Sequence, residues 1–564
     1  MNQLSGAEAV VRMLQAHGVE HIFGLCGDTS LPFYDALHRL DHGIHHLLTR
    51  DERSAAYMAD AYARVTGRVG VCEGPSGGGA TYILPGVVEA NESSVPLLAI
   101  TTDIAVSSRG RYTLTELDQE ALFRPLTKWN VVVDRAEALP RALRRAFCEI
   151  TTGRPGAAHI GLPYDVQNQP VDDAEIWADA SFGTAPARRA APEAAAVAAA
   201  AEAILAARAP LFICGGGVVT SGAEAELGAL AERLGAPVAT TVSGQGSIAD
   251  DHPLALGVVG SNGGTPETRA IVDAADLVVF VGCRAGSVTT ERWRHPDPGA
   301  VKVVHIDVDA AAVGVNYPTQ AALIGDARLT LAALGAELAE RAPARAAPSL
   351  GAREVADAKA RKFERFSALA VSEETPIRPE RVIAELQAVL PSEAVVVADP
   401  GTPCPYASAY LEFGASGRRL ISNRAHGALG YALPAALGAH VGRPAAKCVA
   451  LMGDGSFAMA VGELETMVRV RAPIAMVVFS NAAFGWIKAG QRHGYESRFY
   501  SVDFGRGDHA AVAEAFGVKV WRVAEPGELG AALKGALEHG GPALVDVLAQ
   551  PLDEARAPVS EWVA

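Results

Sequence analysis

The run Gly453-Asp454-Gly455-Ser456 follows an apolar segment, Cys448-Val-Ala-Leu-Met452, and precedes residues suited to a helix. A second apolar segment, Ile474-Ala-Met-Val-Val-Phe479, closes on Asn481, 27 residues after Asp454. That interval holds a turn, a helix and a strand, so the spacing predicts a βαβ unit with adjacent parallel strands. Asp454 and Asn481 would then end neighbouring strands at the sheet edge where open α/β sheets take their ligands.

The residue types at this edge point to a particular chemistry. A carboxylate, an amide oxygen and a backbone carbonyl nearby make a hard oxygen set suited to Mg²⁺, which keeps phosphate and water among its ligands. Gly455 and Gly485 leave room for a phosphate to approach the backbone, and Ser456 opens a helix whose amino end attracts anions. Taken alone, Gly-Asp-Gly-Ser also reads as a strand-to-helix turn with Asp and Ser as caps. Asn481 at the matching strand end weighs against that.

The same pattern recurs near the N-terminus. A small-residue helix over about Ala55–Arg64 leads to a strand, Val69–Cys72, then the turn Ser76-Gly-Gly-Gly79, a helix, and a strand, Pro96–Ile100. Between the two regions lie Leu211-Phe-Ile-Cys-Gly-Gly-Gly217 and Leu277-Val-Val-Phe-Val-Gly282. Pro/Ala/Arg-rich stretches at Gly183–Pro192 and Arg341–Pro348 read as linkers. The expected architecture is α/β, with three domains of parallel sheet flanked by helices, over residues 1–183, 193–341 and 352–564. The outer two are expected to share a fold. A chain of 564 residues needs several cores in any case.

Composition narrows the function classes. A formal net charge of −15 argues against nucleic acid as partner. Seven cysteines without a CxxC pair form neither a zinc site nor a disulfide framework, and suit a reducing compartment. No apolar run reaches the roughly 20 residues of a membrane helix, and Met1–Ser5 shows no signal-peptide pattern. The expectation is a cytoplasmic protein without membrane partners.

Gly-Asp-Gly with an Asn 27 residues after the Asp resembles the signature of thiamine diphosphate-dependent enzymes. The resemblance covers nearly the whole chain. His21-Ile-Phe-Gly-Leu-Cys-Gly-Asp28, Arg50–Arg64 and Ser76–Ala80 are similar to the pyrimidine-binding domain of the acetolactate synthase-like family. His305-Ile-Asp-Val-Asp309 is similar to its middle domain, and Gly427–Gly438 to the start of its diphosphate-binding domain.

The resemblance implies thiamine diphosphate and Mg²⁺ as cofactors, with Asp454, Asn481 and the Ala483 carbonyl on the metal. Thr402, Gly427, Leu429, Gly453, Gly455, Ser456, Asn481, Phe484 and Gly485 would line the cofactor. Leu429 would hold it bent and Gly427 would accept from its 4′-amine. Glu52 would be the glutamate at N1′ of the aminopyrimidine, where a carboxyl favours the imino tautomer whose nitrogen takes the C2 proton. By pattern alone, Glu52 reads as a surface charge and Leu429 as a core residue.

The substrate side departs from the relatives. Asp28 falls where pyruvate decarboxylases carry a catalytic Asp; as a bare sequence feature it is also a turn residue after Gly27. Their His pair after Glu52 is missing, Ile487 replaces their active-site Glu, and Pro75 stands where benzoylformate decarboxylase has a His. Gly78 and Tyr82 replace the Pro and Asn of acetolactate synthases, Leu114-Thr115-Glu116 their Phe-Gln-Glu, and Thr102-Asp103 their Gly-Gln. Asp28, Gly78, Tyr82, Ile487 and Lys488 are the candidate substrate residues, and Lys488 with Arg492 could hold an acidic acceptor or form a solvated helix face. For FAD, Gly282–Gly286 and His305–Asp307 occupy the relevant region. The family's Arg-Phe-Asp-Asp element is absent, which makes flavin the lesser reading.

The leading expectation is a carboligase. The cofactor ylide adds to a 2-oxo acid, CO₂ leaves, and the acyl-anion equivalent passes to an acceptor carbonyl. A non-ligating 2-oxo acid decarboxylase is the alternative within the family, and a non-catalytic cofactor-binding homologue the alternative outside it. The family relation also implies a homo-oligomer, dimer or tetramer, with active sites at the subunit interface.

Overall fold

The computed structural model describes residues 3–341, 348–555 and 557–562. Residues 342–347, most of the second expected linker, lie outside the described residues. The first expected linker is pinned: Ala185 N–H donates to Gly67 O at 2.9 Å, and Ala187 N–H to Thr151 O at 3.0 Å.

Three six-stranded parallel sheets carry the architecture. The first contains β1 (His21–Gly24), β2 (His45–Leu48), β3 (Gly70–Gly74), β4 (Leu97–Asp103), β5 (Trp129–Val132) and β6 (Ala157–Pro163). Its spatial order is β2-β1-β3-β4-β6-β5. The middle sheet contains β7 (Pro210–Cys214), β8 (Val238–Thr240), β9 (Ala255–Val258), β10 (Leu277–Val281), β11 (Lys302–Asp307) and β12 (Ala321–Ile324), in the order β9-β8-β7-β10-β11-β12. The third contains β13 (Val395–Ala398), β14 (Leu420–Ile421), β15 (Cys448–Gly453), β16 (Ala475–Ser480), β17 (Lys519–Val523) and β18 (Ala543–Leu548). Its order is β14-β13-β15-β16-β18-β17.

The first and third sheets therefore have one strand order, in which the second strand lies at one edge and the fifth at the other. In both, the glycine-rich turn follows the third strand, at Gly74–Gly79 and Gly453–Gly455. The middle sheet has the doubly wound order instead. Central strands such as Leu277–Val281 and Ala157–Pro163 are buried along their whole length, as expected when helices cover both faces of a parallel sheet.

By contacts, the chain falls into two compact units. Asn423–Ala445 and Ala460–Arg471 join the N-terminal segment that runs to Arg188, while Arg189–Ser422, Ala446–Met459 and the chain from Ala472 make the other. Within the first unit, α1 (Leu31–Arg39) and α2 (Glu52–Thr66) flank the sheet, and α3 (Ala432–Gly442) packs on α2. Asp51 caps α2 by accepting Arg53 N–H at 2.8 Å, and the helix stops at Gly67 in the left-handed region, φ 73°. Tyr431, just before α3, donates its hydroxyl to Asp60 at 2.5 Å and sets its ring edge-on to Tyr57. Among the described residues, no helix is long and apolar enough to cross a membrane.

Candidate active site

Asp454 and Asn481 meet at the carboxyl ends of adjacent strands. Gly453 on β15 pairs with Phe479 on β16, so Asp454 opens the helix Asp454–Ala460 while Asn481 follows the neighbouring strand. Asp454 is buried, 3% exposed. Its Oδ2 accepts the N–H groups of Asn481 at 2.9 Å and Ala482 at 2.6 Å, and its Oδ1 accepts Gly455 N–H at 2.9 Å. Burial pushes its proton affinity above the usual carboxylate value, with the three N–H groups opposing that. Ala482 takes φ 56°, and Asn481 Oδ1 accepts Ala483 N–H at 3.2 Å.

These residues fit a hard cation. Asp454 is a desolvated carboxylate whose hydrogen bonds come from backbone N–H groups, and no ion pair to it is formed among the described residues. Asn481 brings a buried amide oxygen that accepts the Ala483 N–H at 3.2 Å and has a second lone pair. No cluster of three His, Cys, Asp or Glu capable of holding a metal is found among the described residues, so a metal here would rely on carboxylate, amide and carbonyl oxygens.

The remaining expected cofactor residues of this unit gather at the same edge. Phe484 lies against Gly455, where a methyl group would sit 2.8 Å from the ring. A methyl on Gly485 would lie 3.3 Å from Thr402 Oγ1, which places buried Thr402 beside that turn. Ser456 is buried and Ile487 is 55% exposed. Lys488 and Arg492 are engaged within the chain: Lys488 Nζ bonds Asp503 Oδ1 at 2.7 Å, and Arg492 pairs with Asp553 at 2.8 Å.

In the other unit, Glu52 begins α2 and is 7% exposed. It lies against the turn that follows β3: a methyl on Gly79 would sit 3.0 Å from its Oε1, and one on Gly74 3.2 Å from its Cγ. Only glycines leave that space. Burial raises its proton affinity first, and Asp51 and Glu73 add to the rise as like charges, against a backbone N–H that lowers it. Gly427 has φ 72° in the loop before α3, and Leu429 beside it is half-buried. That loop is anchored by Glu89, whose Oε2 accepts His426 N–H at 2.7 Å, and by Asn423 Nδ2 donating to Ala428 O at 2.6 Å.

Asp28 is exposed after β1 and its Oδ1 accepts Thr29 N–H at 2.9 Å. Gly78 opens a short helix that ends at Tyr82, and the Tyr82 ring lies 4.0 Å from a methyl placed on Gly78. Two features of this edge escaped the sequence reading. Thr102, Thr29, Ser76 and Thr115 form a chain of hydroxyls with successive separations of 2.8, 3.1 and 2.7 Å. Glu73 is a carboxyl buried on β3, which runs two residues beyond its expected end at Cys72. A charged residue between Cys72 and Gly74 was the available signal.

In the middle sheet, the glycine turns pack on each other. Gly215 N–H donates to Val281 O at 2.9 Å and Gly217 N–H to Gly282 O at 3.2 Å, while His305 Nε2 bonds Cys283 O at 2.9 Å. A methyl on Gly217 would lie 2.7 Å from Gly282 Cα. The glycines serve backbone packing here.

Sequence comparison finds one family in all three sheet regions of the chain. The thiamine pyrophosphate enzyme family matches in three parts: the N-terminal TPP binding domain over 4–122, the central domain over 197–334 and the C-terminal TPP binding domain over 399–547. The chain is 34% identical to a probable acetolactate synthase large subunit of Methanococcus aeolicus, covering 97% of this chain and 92% of the relative. It is 34% identical to an acetolactate synthase of Arthrospira platensis (97% and 94%). It is 32% identical to the acetolactate synthase isozyme 3 large subunit of Escherichia coli (96% and 93%). The chain belongs to the thiamine pyrophosphate enzymes and is a thiamine diphosphate-dependent enzyme of their acetolactate synthase-like family.

Proposed function

We propose that the protein is a Mg²⁺- and thiamine diphosphate-dependent carboligase, which decarboxylates a 2-oxo acid and transfers the acyl-anion equivalent to an acceptor carbonyl. The observation that carries this reading is the desolvated setting of Glu52 against Gly74 and Gly79. A carboxyl kept from water and raised in proton affinity can hold a proton at a ring nitrogen instead of surrendering it to solvent.

The chemistry supplied by bound thiamine diphosphate is a carbon nucleophile for the 2-oxo acid carbonyl and an electron sink for loss of CO₂. The chain's own residues bind, orient and exclude water. Asp454, Asn481 and the Ala483 carbonyl hold Mg²⁺. Thr402, Gly453, Gly455, Ser456, Phe484 and Gly485 line the diphosphate end, and Gly427 and Leu429 orient the aminopyrimidine. Glu52 holds the proton at N1′. Asp28, Gly78, Tyr82, Ile487 and Lys488 are assigned to the substrate side, and Asp28 is the carboxylate among these five. FAD stays the lesser reading for the middle sheet, whose glycine turns pack on each other and whose His305 is bonded to Cys283 O.

The three-domain division at 1–183, 193–341 and 352–564 belongs to the same reading, as does a cytoplasmic homo-oligomer whose sites are shared between two chains. The shared strand order of the outer sheets supports pairing by two-fold symmetry. Non-ligating decarboxylation is the second reading, favoured by exposed Asp28 at the sheet edge. Product analysis separates the two: purified enzyme with cofactor, Mg²⁺ and a panel of 2-oxo acids, assayed with and without added carbonyl acceptors. Acceptor-dependent C–C product at the expense of free aldehyde supports ligation. Aldehyde and CO₂ in equal amounts whatever the acceptor would favour the second reading.

A further inference from the structure

The loop that carries Gly427 and Leu429 is tied at both ends to one buried ion cluster. Arg64, in the last turn of α2, bonds Asp60 Oδ2 through Nε at 2.7 Å and Glu89 Oε1 through Nη2 at 3.0 Å. The Arg64 side chain is 5% exposed and the two carboxylates are fully buried. Glu89 comes from the helix Leu84–Glu92. Its Oε2 accepts the N–H groups of Ala425 at 3.2 Å and His426 at 2.7 Å, and its Oε1 accepts the Ser93 hydroxyl at 2.6 Å. At the far end of the loop, the Tyr431 hydroxyl donates at 2.5 Å to the same Asp60 oxygen that Arg64 holds. Between the two anchors lie Gly427, Ala428, Leu429 and Gly430, and both glycines are left-handed, with φ 72° and 80°.

Two carboxylates share one guanidinium here, out of reach of water, and much of their remaining hydrogen bonding comes from the loop. A buried ion cluster adds little stability over an apolar core, whereas removing one partner from it is costly. Apolar residues at these three positions would pack the helices without specifying where the loop lies. We propose that Arg64, Asp60 and Glu89 form a clamp that holds this loop in its working conformation, which makes them positioning residues for Gly427 and Leu429. This rests on the reading of those two residues given above. A loop lifted off the cluster would leave Glu89 and Asp60 short of donors inside the protein, so the docked state is favoured by the whole set of bonds. The carboxylate of Glu89 is needed for this. A glutamine there would turn its NH₂ either to the loop N–H groups or to Arg64 and Ser93, donor against donor.

The experiment is hydrogen–deuterium exchange of backbone amides, read by mass spectrometry on full-length protein purified without cofactor. Wild type is compared with Glu89→Gln and Tyr431→Phe, each of which removes one anchor with little change of volume. Amides of residues 425–431 should exchange about tenfold faster in both, the effect of one lost charge-assisted hydrogen bond, while those of β4 keep the wild-type rate. Glu92→Gln, an exposed change on the same helix as Glu89, should leave the loop rate as it is. Should Glu89→Gln not fold, Tyr431→Phe, which loses a single hydroxyl, carries the test alone. Wild-type loop exchange in either variant would overturn the two-ended clamp. So would a rise spread over the whole protein, which would make the cluster a general core contact. With Mg²⁺ and thiamine diphosphate, cofactor affinity by calorimetry should fall about tenfold in Glu89→Gln, because the competent loop is less populated. At saturating cofactor, the C2 proton should also exchange more slowly than in wild type, and Glu89→Asp, which keeps the charge, should recover part of both losses. A loosened loop with wild-type cofactor affinity and C2 exchange would overturn the assignment of Gly427 and Leu429 to the cofactor while leaving the clamp standing.

Discussion

Asn481 donates its backbone N–H to Asp454 Oδ2 at 2.9 Å, so the residue that ends one strand orients the carboxylate that follows its neighbour. The same carboxylate takes the Ala482 N–H, made available by the left-handed φ of 56° at that residue. A metal bound here would rest on a carboxylate fixed before binding.

Asp454→Ala should therefore abolish the dependence of cofactor binding on Mg²⁺. Thiamine diphosphate affinity measured by calorimetry should fall at least ~100-fold, as loss of a direct ligand costs no less than loss of its supporting hydrogen bonds. Asp454→Asn keeps the shape but loses the charge and should fall in between. Wild-type affinity in Asp454→Ala would remove Asp454 from the metal site.

Glu52→Gln should separate chemistry from binding. The carboxyl contributes a proton at one ring nitrogen, so turnover should drop by about 10²–10⁴ while cofactor affinity changes only a few-fold. Hydrogen–deuterium exchange at C2 of the bound cofactor reports the step directly and should slow in parallel with turnover. Exchange at the wild-type rate in the Gln variant would assign this proton to another group.

The outer sheets share the order second-first-third-fourth-sixth-fifth, and each has its glycine turn after the third strand. Two chains paired by two-fold symmetry would offer two equivalent combinations of these edges, with Glu52 of one chain meeting the cofactor held through Asp454 of the other. Mixing Glu52→Gln chains with Asp454→Ala chains and letting subunits exchange should then restore activity, up to one working site of two in each mixed dimer. Mixed dimers that form without regaining activity would count against shared sites.

The sequence made the sheet edges legible because their chemistry is periodic and local: an apolar strand, a glycine turn, and Asp454 and Asn481 at a fixed interval. Boundaries were read to within a few residues, as with Cys448–Gly453 and Ala475–Ser480. The setting of Glu73 was not legible, because its partners Tyr34 and His46 lie 39 and 27 residues away, on a helix and on a strand that meet it only in the fold. The two salt bridges of Lys488 and Arg492 were hidden in the same way, their partners Asp503 and Asp553 lying outside the helix. The burial of Glu52 was out of reach of pattern alone, since Arg50-Asp-Glu-Arg53 reads as a surface run until Gly74 and Gly79 are folded over it.

Lys362 gives a prediction on stability. It lies on the helix Ala352–Ala370, is 4% exposed, donates Nζ to Ala409 O at 2.9 Å and sits 4.5 Å from the Phe363 ring. Burial lowers its pKa to about 8, against nearby Asp250 and Glu412, which pull it up. In the unfolded chain a lysine titrates near ~10.4. Between these values the folded protein has released the proton while the unfolded chain still holds it, so stability should rise with pH across that window. The slope from this one group approaches about 1.4 kcal/mol per pH unit and vanishes below pH 8, where both states are protonated. Lys362→Met should remove that slope, whatever it does to stability at neutral pH through the unpaired Ala409 carbonyl. Urea unfolding followed from pH 7.5 to 10 in both proteins measures the difference. Parallel curves would mean that Lys362 stays charged in the folded protein.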